Sequence, residues 1–306
     1  MKIKRRTFLK IIGATSGAAL VGGPGKARAV RYAPRSDGML AVLVDTTRCI
    51  GCRSCEAACV KANQLPASPA PGPQSVFDKR RTTDPNAFTV VNRYPNPKDG
   101  QRPTFVKTQC MHCVEPACAS ACPVAALQKT AEGPVIYNPE RCIGCRYCMV
   151  ACPFEIPKYE YEKAVPYVRK CPFCFSRVRQ GQLPACVSAC PVKALTFGKR
   201  GELLEMAKAR IYQNPDRYVH HIYGEREAGG TGVMYLSAVP FEELGFPASL
   251  GDTSHFQLTS ASLSAVPFIL TLGPPFLLAV HAFAKNREEA ERKSVDRQEA
   301  RHDRER

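Results

Sequence analysis

Residues 141–153 read RCIGCRYCMVACP, in which Cys142, Cys145, Cys148 and Cys152 are separated by two, two and three residues. The run closes on a proline, and cysteines at this spacing bind iron–sulfur clusters. Three cysteines on one tight loop wrap one face of a cubane, while the fourth points to a second cluster. Residues 48–53 read RCIGCR and repeat residues 141–146, so the chain carries this loop at least twice.

The 306-residue chain has 16 cysteines, and each belongs to a group of four that we call a quartet. In chain order the quartets are Cys49, Cys52, Cys55 and Cys59; Cys110, Cys113, Cys118 and Cys122; Cys142, Cys145, Cys148 and Cys152; and Cys171, Cys174, Cys186 and Cys190. No quartet has another residue type in place of a ligand. The pattern therefore predicts four 4Fe-4S clusters, with all sixteen cysteines as iron ligands.

A proline follows the last cysteine of three quartets, at Pro123, Pro153 and Pro191, and Val60 takes that place in the first. Because proline fits the first turn of a helix, we expect the fourth cysteine of a quartet to begin a short helix. Gly51 separates the first two cysteines of its loop, as Gly144 does in the repeat. A residue without Cβ lets the backbone approach a cluster and turn its amides toward sulfur.

Three other uses of the cysteines remain open. Eight disulfides are arithmetically possible in an exported protein, but the tightly spaced loops would need many short, strained links. Zinc sites also use pairs of cysteines two residues apart, as in a zinc-bound structural adaptor. Three thiols within seven residues and a more distant fourth fit a cubane better. A set of fewer than four clusters is the third alternative.

Residues 1–29 have the layout of an export signal. Arg5 and Arg6 stand in a basic segment, an apolar run covers residues 11–23, and Ala27 and Ala29 form a small-x-small cleavage pattern. A twin-arginine signal suits clusters that are built in the cytoplasm and exported inside a folded protein. We therefore expect the protein on the periplasmic side of the inner membrane.

The formal net charge of +16 would ordinarily suggest a nucleic-acid or acidic partner. However, residues 1–29 hold seven Lys or Arg and no Asp or Glu. Sixteen thiolates around four clusters would offset most of the remaining positive charge. We therefore expect no nucleic-acid binding.

The repeated quartets predict an α+β fold of two fused bacterial-ferredoxin-like two-cluster modules. Each module would consist of two loops with short helices and paired strands. We expect strands at residues 40–44, 88–92, 104–108, 135–138 and 194–198. The Pro-rich stretches 65–74 and 92–103 are expected to be surface loops.

The last third of the chain contains an apolar segment. No Asp, Glu, Lys or Arg occurs at residues 253–284, and the run 263–284 can cross a bilayer at about 1.5 Å per residue. Three prolines would kink or break it, and a buried helix of a soluble protein is the alternative. Lys285 and Arg287 follow at once and favour a cytoplasmic C-terminus. The sequence thus divides into a twin-arginine signal peptide at 1–29, a four-cluster domain at 30–200, an accessory segment at 201–258, a transmembrane anchor at 259–285 and a charged cytoplasmic tail at 286–306.

Several segments carry a family resemblance over nearly the whole chain. They are 109–116 (QCMHCVEP), 145–153 (CRYCMVACP), 157–161 (PKYEY), 222–227 (IYGERE), 229–231 (GGT) and 233–247. With its quartets, the chain resembles the four-cluster iron–sulfur subunits of membrane oxidoreductases such as formate dehydrogenase, dimethyl sulfoxide reductase, polysulfide reductase and nickel–iron hydrogenase. It is most similar to the membrane-anchored iron–sulfur subunit of hydrogenase-2-type nickel–iron uptake hydrogenases.

The resemblance implies that the first quartet pairs with the fourth and the second with the third. We name the resulting ligand sets by their first members. The Cys49 set is Cys49, Cys52, Cys55 and Cys190; the Cys59 set is Cys59, Cys171, Cys174 and Cys186; the Cys110 set is Cys110, Cys113, Cys118 and Cys152; and the Cys122 set is Cys122, Cys142, Cys145 and Cys148.

The resemblance also implies a function and two partners. The chain would be a non-catalytic subunit that takes electrons from the small subunit of a periplasmic nickel–iron hydrogenase. It would pass them to a quinone-reactive integral membrane subunit. The alternative is the iron–sulfur subunit of a molybdopterin oxidoreductase of the formate, dimethyl sulfoxide or polysulfide type, with molybdenum or tungsten. The segment after the clusters argues against this alternative.

No nucleotide-binding fingerprint, catalytic triad or open metal site appears in the sequence, which agrees with a chain that is not itself an enzyme. His112 stands between two predicted ligands, where it either tunes a cluster potential or faces solvent. His281 fits an interfacial position better than a haem or quinone site, and we do not interpret His220 and His221 as metal ligands.

Overall fold

A computed structural model describes residues 36–66, 74–97, 100 and 102–302 of the chain. The predicted signal peptide and most of the predicted loop at 65–74 lie outside the described residues.

The central sheet has three strands in the order β8-β1-β9. β1 (Leu40–Asp45) pairs antiparallel with β8 (Leu195–Lys199) and parallel with β9 (Val233–Leu236). β1 is apolar in almost every position because, as the central strand, it is covered on both faces. The sheet therefore joins the start of the chain to the last quartet and to the segment beyond it.

Three two-stranded antiparallel hairpins complete the strand inventory of the described residues. They are β2 (Thr89–Tyr94) with β3 (Thr104–Gln109), β4 (Leu127–Lys129) with β5 (Val135–Tyr137), and β6 (Lys158–Tyr159) with β7 (Val168–Arg169). All five predicted strands are present. β4, β6, β7 and β9, which have two to four residues each, were not predicted.

The predicted loop at 92–103 is wrong at its start, because β2 continues to Tyr94. Asn92 is opposite Val106 in β3, and its side chain is not turn-forming. Its Oδ1 accepts the backbone N–H of Arg81 at 2.9 Å, and its Nδ2 donates to the carbonyl of Arg81 at 2.8 Å. This pair of hydrogen bonds satisfies a buried amide inside the strand.

In the part of the chain that the structure describes, five short α-helices lie in the cysteine regions and two longer ones follow. In order they are α1 (Ser54–Asn63), α2 (Ala117–Ser120), α3 (Tyr147–Ala151), α4 (Phe175–Arg179), α5 (Ala185–Ser188), α6 (Arg200–Gln213) and α7 (His255–His302). α1 packs against α5, and α2 packs against α3. The first quartet therefore meets the fourth, and the second meets the third.

The expectation that the fourth cysteine begins a helix is wrong. The third cysteine of each quartet lies in the first turn of a helix, as Cys118 does in α2. In the three quartets that are followed by proline the fourth cysteine lies beyond the end of that helix, as Cys152 does after α3, whereas Cys59 of the first quartet lies within α1. Proline lacks a backbone N–H and disfavours a helical residue before it, so it stops the helix. In the first quartet Val60 replaces proline, and α1 accordingly continues to Asn63.

The core lies on both faces of the central sheet. Leu203 and Ala207 of α6 pack with Leu43 and Met234 on one face. On the other face Tyr235 and aromatic residues of the C-terminal segment pack against the cysteine-bearing loops. The cysteine-bearing loops thus pack on one face of the sheet, and α6 packs on the other.

The long helix α7 holds the candidate membrane span. Its segment Ala265–Ser294 is long and apolar enough to cross a membrane, with a mean hydropathy of 1.7 in its most apolar window, none of which is buried. The alternative of a buried helix in a soluble protein is therefore not supported. α7 continues through Pro267, Pro274 and Pro275, so the predicted break does not occur.

Candidate metal centres

The loops of the first and third quartets share one backbone conformation. φ is +69° at Gly51 and +70° at Gly144, and it is 59° at both Arg53 and Arg146. A Cβ on Gly51 would collide with the ring of Phe105. Glycine is therefore required by the left-handed backbone and by close packing. The sequence repeat is a repeat of structure.

The four members of the Cys49 set line one small cavity, whose apolar walls come from β1 and β2. Lys107 of β3 also lines it. Burial raises the pKa of Cys49 to about 11, although the Gly51 backbone N–H that bonds its sulfur lowers it. An amide is thus turned toward sulfur, as the sequence predicts for this loop.

The four members of the Cys122 set line a second cavity of the same kind. Leu127 and Val168 contribute its apolar wall, and the hydroxyl of Tyr137 hydrogen-bonds Cys142. This cavity combines four soft thiol donors with an apolar surround. Such a donor set suits iron–sulfur clusters or soft metal ions.

The other eight cysteines gather in two groups, in each of which burial and then neighbouring sulfurs raise the pKa of three members. One group contains Cys59, Cys171, Cys174 and Cys186. The other contains Cys110, Cys113, Cys118 and Cys152. The Cys49 and Cys122 sets therefore each line one cavity, and the other eight cysteines have neighbours both within their predicted sets and in the adjoining sets.

The geometry of the groups discriminates between the possible metals. All sixteen cysteines are unpaired thiols. Among the described residues, no three His, Cys, Asp or Glu side chains converge closely enough to hold a single metal ion. Zinc needs four ligands around one point, whereas a cubane has four iron atoms that separate its ligands. The cavities therefore fit a four-iron cluster better than zinc.

Burial raises the pKa of several thiols and keeps them protonated when no metal is bound. It raises the pKa of Cys148 and Cys152 to about 11, with neighbouring cysteines adding to the rise at Cys148. For Cys55 and Cys59 burial raises the pKa to about 12. Metal binding must therefore release protons from these thiols. Its binding free energy adds to the stability of the folded chain.

Neighbouring cysteines link the four predicted sets one after another, in an order that we call the row. Cys55 is an electrostatic neighbour of Cys186, which links the Cys49 set to the Cys59 set. Cys171 is a neighbour of Cys110, which links the Cys59 set to the Cys110 set. α2 and α3 each connect the Cys110 set to the Cys122 set. The exposed cysteines, Cys52 and Cys145, belong to the two ends of this row.

Lysines that the sequence analysis did not single out lie among the sets. Lys107 and Lys170 are 2% and 6% exposed. Lys170 Nζ donates to the carbonyl of Val135 at 2.5 Å, and Lys129 Nζ donates to that of Cys113 at 2.6 Å. Burial lowers the pKa of Lys129 to about 8. In the sequence, a buried lysine of this kind could have been suspected where a single lysine interrupts a β-forming run, as at 104–109.

The structure decides between two interpretations of His112. The ring is 1% exposed, so the solvent-facing alternative is wrong. Its Nδ1 accepts the backbone N–H of Val135 at 3.0 Å, and burial together with nearby lysines lowers its pKa well below the usual value. Nε2 therefore carries the proton, and it has no hydrogen-bond partner among the described residues. Phe173 packs against the ring with centroids 4.7 Å apart.

His220, His221 and His281 line neither the Cys49 nor the Cys122 cavity. His281 is exposed on α7. His221 Nε2 is 2.6 Å from Glu227 Oε1, and His220 Nε2 is 3.3 Å from the carbonyl of Pro215.

Two protein-family models match the chain, and both describe a 4Fe-4S dicluster domain. One covers residues 48–126 and the other covers residues 102–200. Two dicluster domains give four 4Fe-4S clusters, in agreement with the sixteen cysteines. The predicted α+β fold with two tandem dicluster ferredoxin modules is confirmed.

Relatives match over most of the chain. A protein of Nitratidesulfovibrio vulgaris is 47% identical over 288 residues, which cover 93% of this chain and 78% of that protein. The hydrogenase-2 operon protein HybA of Escherichia coli is 37% identical over 313 residues, covering 92% of this chain and 93% of HybA. The iron–sulfur subunit of the nitrate-inducible formate dehydrogenase of Escherichia coli is 37% identical over 201 residues, covering 64% of this chain and 67% of that subunit. The chain therefore belongs to the family of 4Fe-4S electron-transfer subunits that includes the hydrogenase-2 operon protein HybA and the iron–sulfur subunits of formate dehydrogenases.

Proposed function

We propose that the chain is the non-catalytic electron conduit between a periplasmic nickel–iron hydrogenase and a quinone-reactive integral membrane subunit. Electrons would enter from the hydrogenase small subunit and leave toward the quinone-reactive partner. The observation that carries this proposal is the row of four cysteine sets, which has an exposed cysteine at each end. A row with two accessible ends suits transfer between two partners.

The Cys49, Cys59, Cys110 and Cys122 sets are the proposed ligands of one 4Fe-4S cluster each. When bound, such clusters supply one-electron transfer at potentials set by charge, hydrogen bonds and exposure. The residues of this chain hold the ligands in place, exclude water from the inner sets and tune the charge around them. Apolar residues of β1, β2 and β4 line the cavities of the two end sets, the Cys49 and Cys122 sets.

The start of α7 supports a direction for the row. α7 packs against α2, and Gln257 Nε2 donates to Glu115 Oε2 at 3.1 Å. α2 carries Cys118 of the Cys110 set, so the anchor begins beside the second module, by which we mean the Cys110 and Cys122 sets. The Cys122 set would then be the end that meets the membrane partner, and the Cys49 set would meet the hydrogenase.

The proposed location is the periplasmic side of the inner membrane. It follows from the signal at 1–29, the anchor at 259–285 and the basic residues after the anchor. In this arrangement the four-cluster domain at 30–200 and the accessory segment at 201–258 lie outside, and the tail at 286–306 lies in the cytoplasm. Changing Arg5 and Arg6 to Lys should retain the protein in the cytoplasm, and normal export of that variant would refute the assignment.

A molybdenum or tungsten enzyme is the second candidate partner, because formate dehydrogenase subunits are among the relatives. Their match covers 64% of this chain, whereas HybA matches 92%. The HybA match therefore extends into regions outside the four-cluster core. This difference favours the hydrogenase.

The functional test compares two electron donors in membranes of the source cells. Hydrogen-driven quinone reduction should depend on the full chain and fall strongly in a Cys145→Ser variant, whereas formate-driven reduction should not change. Loss of formate-driven reduction alone would favour the second candidate. A Tyr212→Phe variant serves as the matched control, because Tyr212 is 88% exposed and outside every cysteine set.

A further inference from the structure

Lys107 is a fully buried lysine at the centre of the first module, by which we mean the Cys49 and Cys59 sets. It lies within β3, opposite Val91 of β2, and is 2% exposed. Its Nζ donates to Oε1 of Gln109. Within the described ranges, no Asp or Glu forms an ion pair with it. Its side-chain partner is therefore the neutral amide of Gln109.

The surroundings of Lys107 are cysteines from two sets. Its side chain lines the cavity of the Cys49 set. Its electrostatic neighbours are Cys55 of that set and Cys59, Cys171 and Cys186 of the Cys59 set. The ammonium thus lies between two proposed cluster sites rather than beside one.

A buried ammonium is costly unless negative charge compensates it. The protein supplies no carboxylate at this position among the described side chains, so the compensating charge must come from the sulfur ligands. Four iron-bound thiolates per site provide such charge, and each electron added to a site makes it one unit more negative. Attraction to a buried cation is weakly screened and therefore strong.

We propose that Lys107 is a potential-setting residue that raises the reduction potentials at both the Cys49 and the Cys59 sets. The inference rests on the proposed function, in which the hydrogenase supplies the electron and Lys107 neither donates nor accepts one. The ammonium stabilises the more negative, reduced state of each site. Lys107 thereby favours reduction at the Cys49 and Cys59 sets, which lie at the end of the row where electrons enter.

Arg146 provides a matched comparison in the second module. It lines the cavity of the Cys122 set as Lys107 lines that of the Cys49 set. Arg146 is exposed, however, and solvent screens its charge. Neutralising Arg146 should therefore change the potentials much less than neutralising Lys107.

The test is a potentiometric titration of the full-length chain, purified anaerobically in detergent and followed by electron paramagnetic resonance. In Lys107→Met, two of the four midpoint potentials should become more negative by about 59 mV or more. For one electron this shift corresponds to a tenfold change in the equilibrium constant. The other two midpoints should stay in place, and Arg146→Met should move none by that amount. Unchanged midpoints in an iron-replete Lys107→Met protein would overturn the proposal.

A second variant covers the case in which Lys107→Met does not assemble. Gln109→Glu keeps the lysine and the side-chain size, but pairs the ammonium with a carboxylate. It should lower the same two midpoints. Loss of iron from both variants would also overturn the proposal, because Lys107 would then be a folding residue. Absence of cluster signals from the unaltered chain would instead refute the proposed function.

Discussion

The carboxylate of Glu56 and the backbone of Val91 are joined by a buried hydrogen bond, in which Val91 N–H donates to Glu56 Oε1 at 2.6 Å. The same carboxylate pairs with Arg53 at 2.8 Å and with Arg81 at 2.5 Å. Glu56 lies in α1 between Cys55 and Cys59, and Val91 lies in β2. One acidic side chain therefore fixes the helix that carries ligands of two sets against the neighbouring hairpin.

Glu56→Gln should destabilise the first module strongly. Removing one partner of a buried ion pair leaves an uncompensated charge and costs about 3–5 kcal/mol, here at Arg53, which is 5% exposed. The measurement is the denaturant concentration at which the protein loses iron.

Glu202→Gln is the control for this prediction. The Glu202 side chain is 68% exposed and its carboxylate is 3.6 Å from Lys199, so its loss should cost at most about 1 kcal/mol. Equal stability of the Glu56 and Glu202 variants would contradict the role assigned to Glu56.

Gly51→Ala should destabilise the first cysteine loop for two separable reasons. The left-handed backbone costs about 1–2 kcal/mol for a residue with a Cβ, and overpacking against Phe105 costs about 1–3 kcal/mol more. Gly181 isolates the first effect, because its φ is +75° but nothing lies within 4 Å of an added Cβ. The midpoint temperature of thermal unfolding should therefore be lower for Gly51→Ala than for Gly181→Ala. The reverse order would contradict the proposed clash.

Val60→Pro should shorten α1 and weaken the attachment of Cys59. Proline inside a helix costs about 3 kcal/mol, and the helix beyond Val60 carries Asn63, whose Nδ2 donates to the carbonyl of Cys59 at 2.8 Å. Val60→Ala keeps the helix and is the control. Comparable thermal stability and iron content in the two variants would argue against proline as the element that ends the other helices.

The cysteine spacing made the loops and the metal type predictable, because the ligands of a cluster lie close together in short segments of sequence. Long-range relationships were not predictable in this way. β9 pairs with β1 although Val233 and Val42 are far apart in sequence, and a four-residue strand leaves no periodic signal. Buried charges such as Glu56 and Lys107 resemble solvated residues until their partners are known. The expectation that the fourth cysteine begins a helix was wrong because proline is found both at the start of helices and just after their end.

Cys59→Ser should perturb the same cluster as Cys174→Ser and spare the one affected by Cys55→Ser. The reason is that α1 carries Cys55 and Cys59 toward different groups of cysteines, although they are four residues apart. Electron paramagnetic resonance of the three iron-containing variants checks the assignment. A common altered signal in Cys59→Ser and Cys55→Ser, distinct from that of Cys174→Ser, would contradict the proposed sets.

The central claim is that the chain conducts electrons for a nickel–iron hydrogenase. Metal analysis of the complex, isolated from native membranes in mild detergent through a tag on this chain, tests it most directly. The account predicts nickel together with iron well above the content of one cluster per chain. Iron with molybdenum or tungsten and without nickel would contradict it.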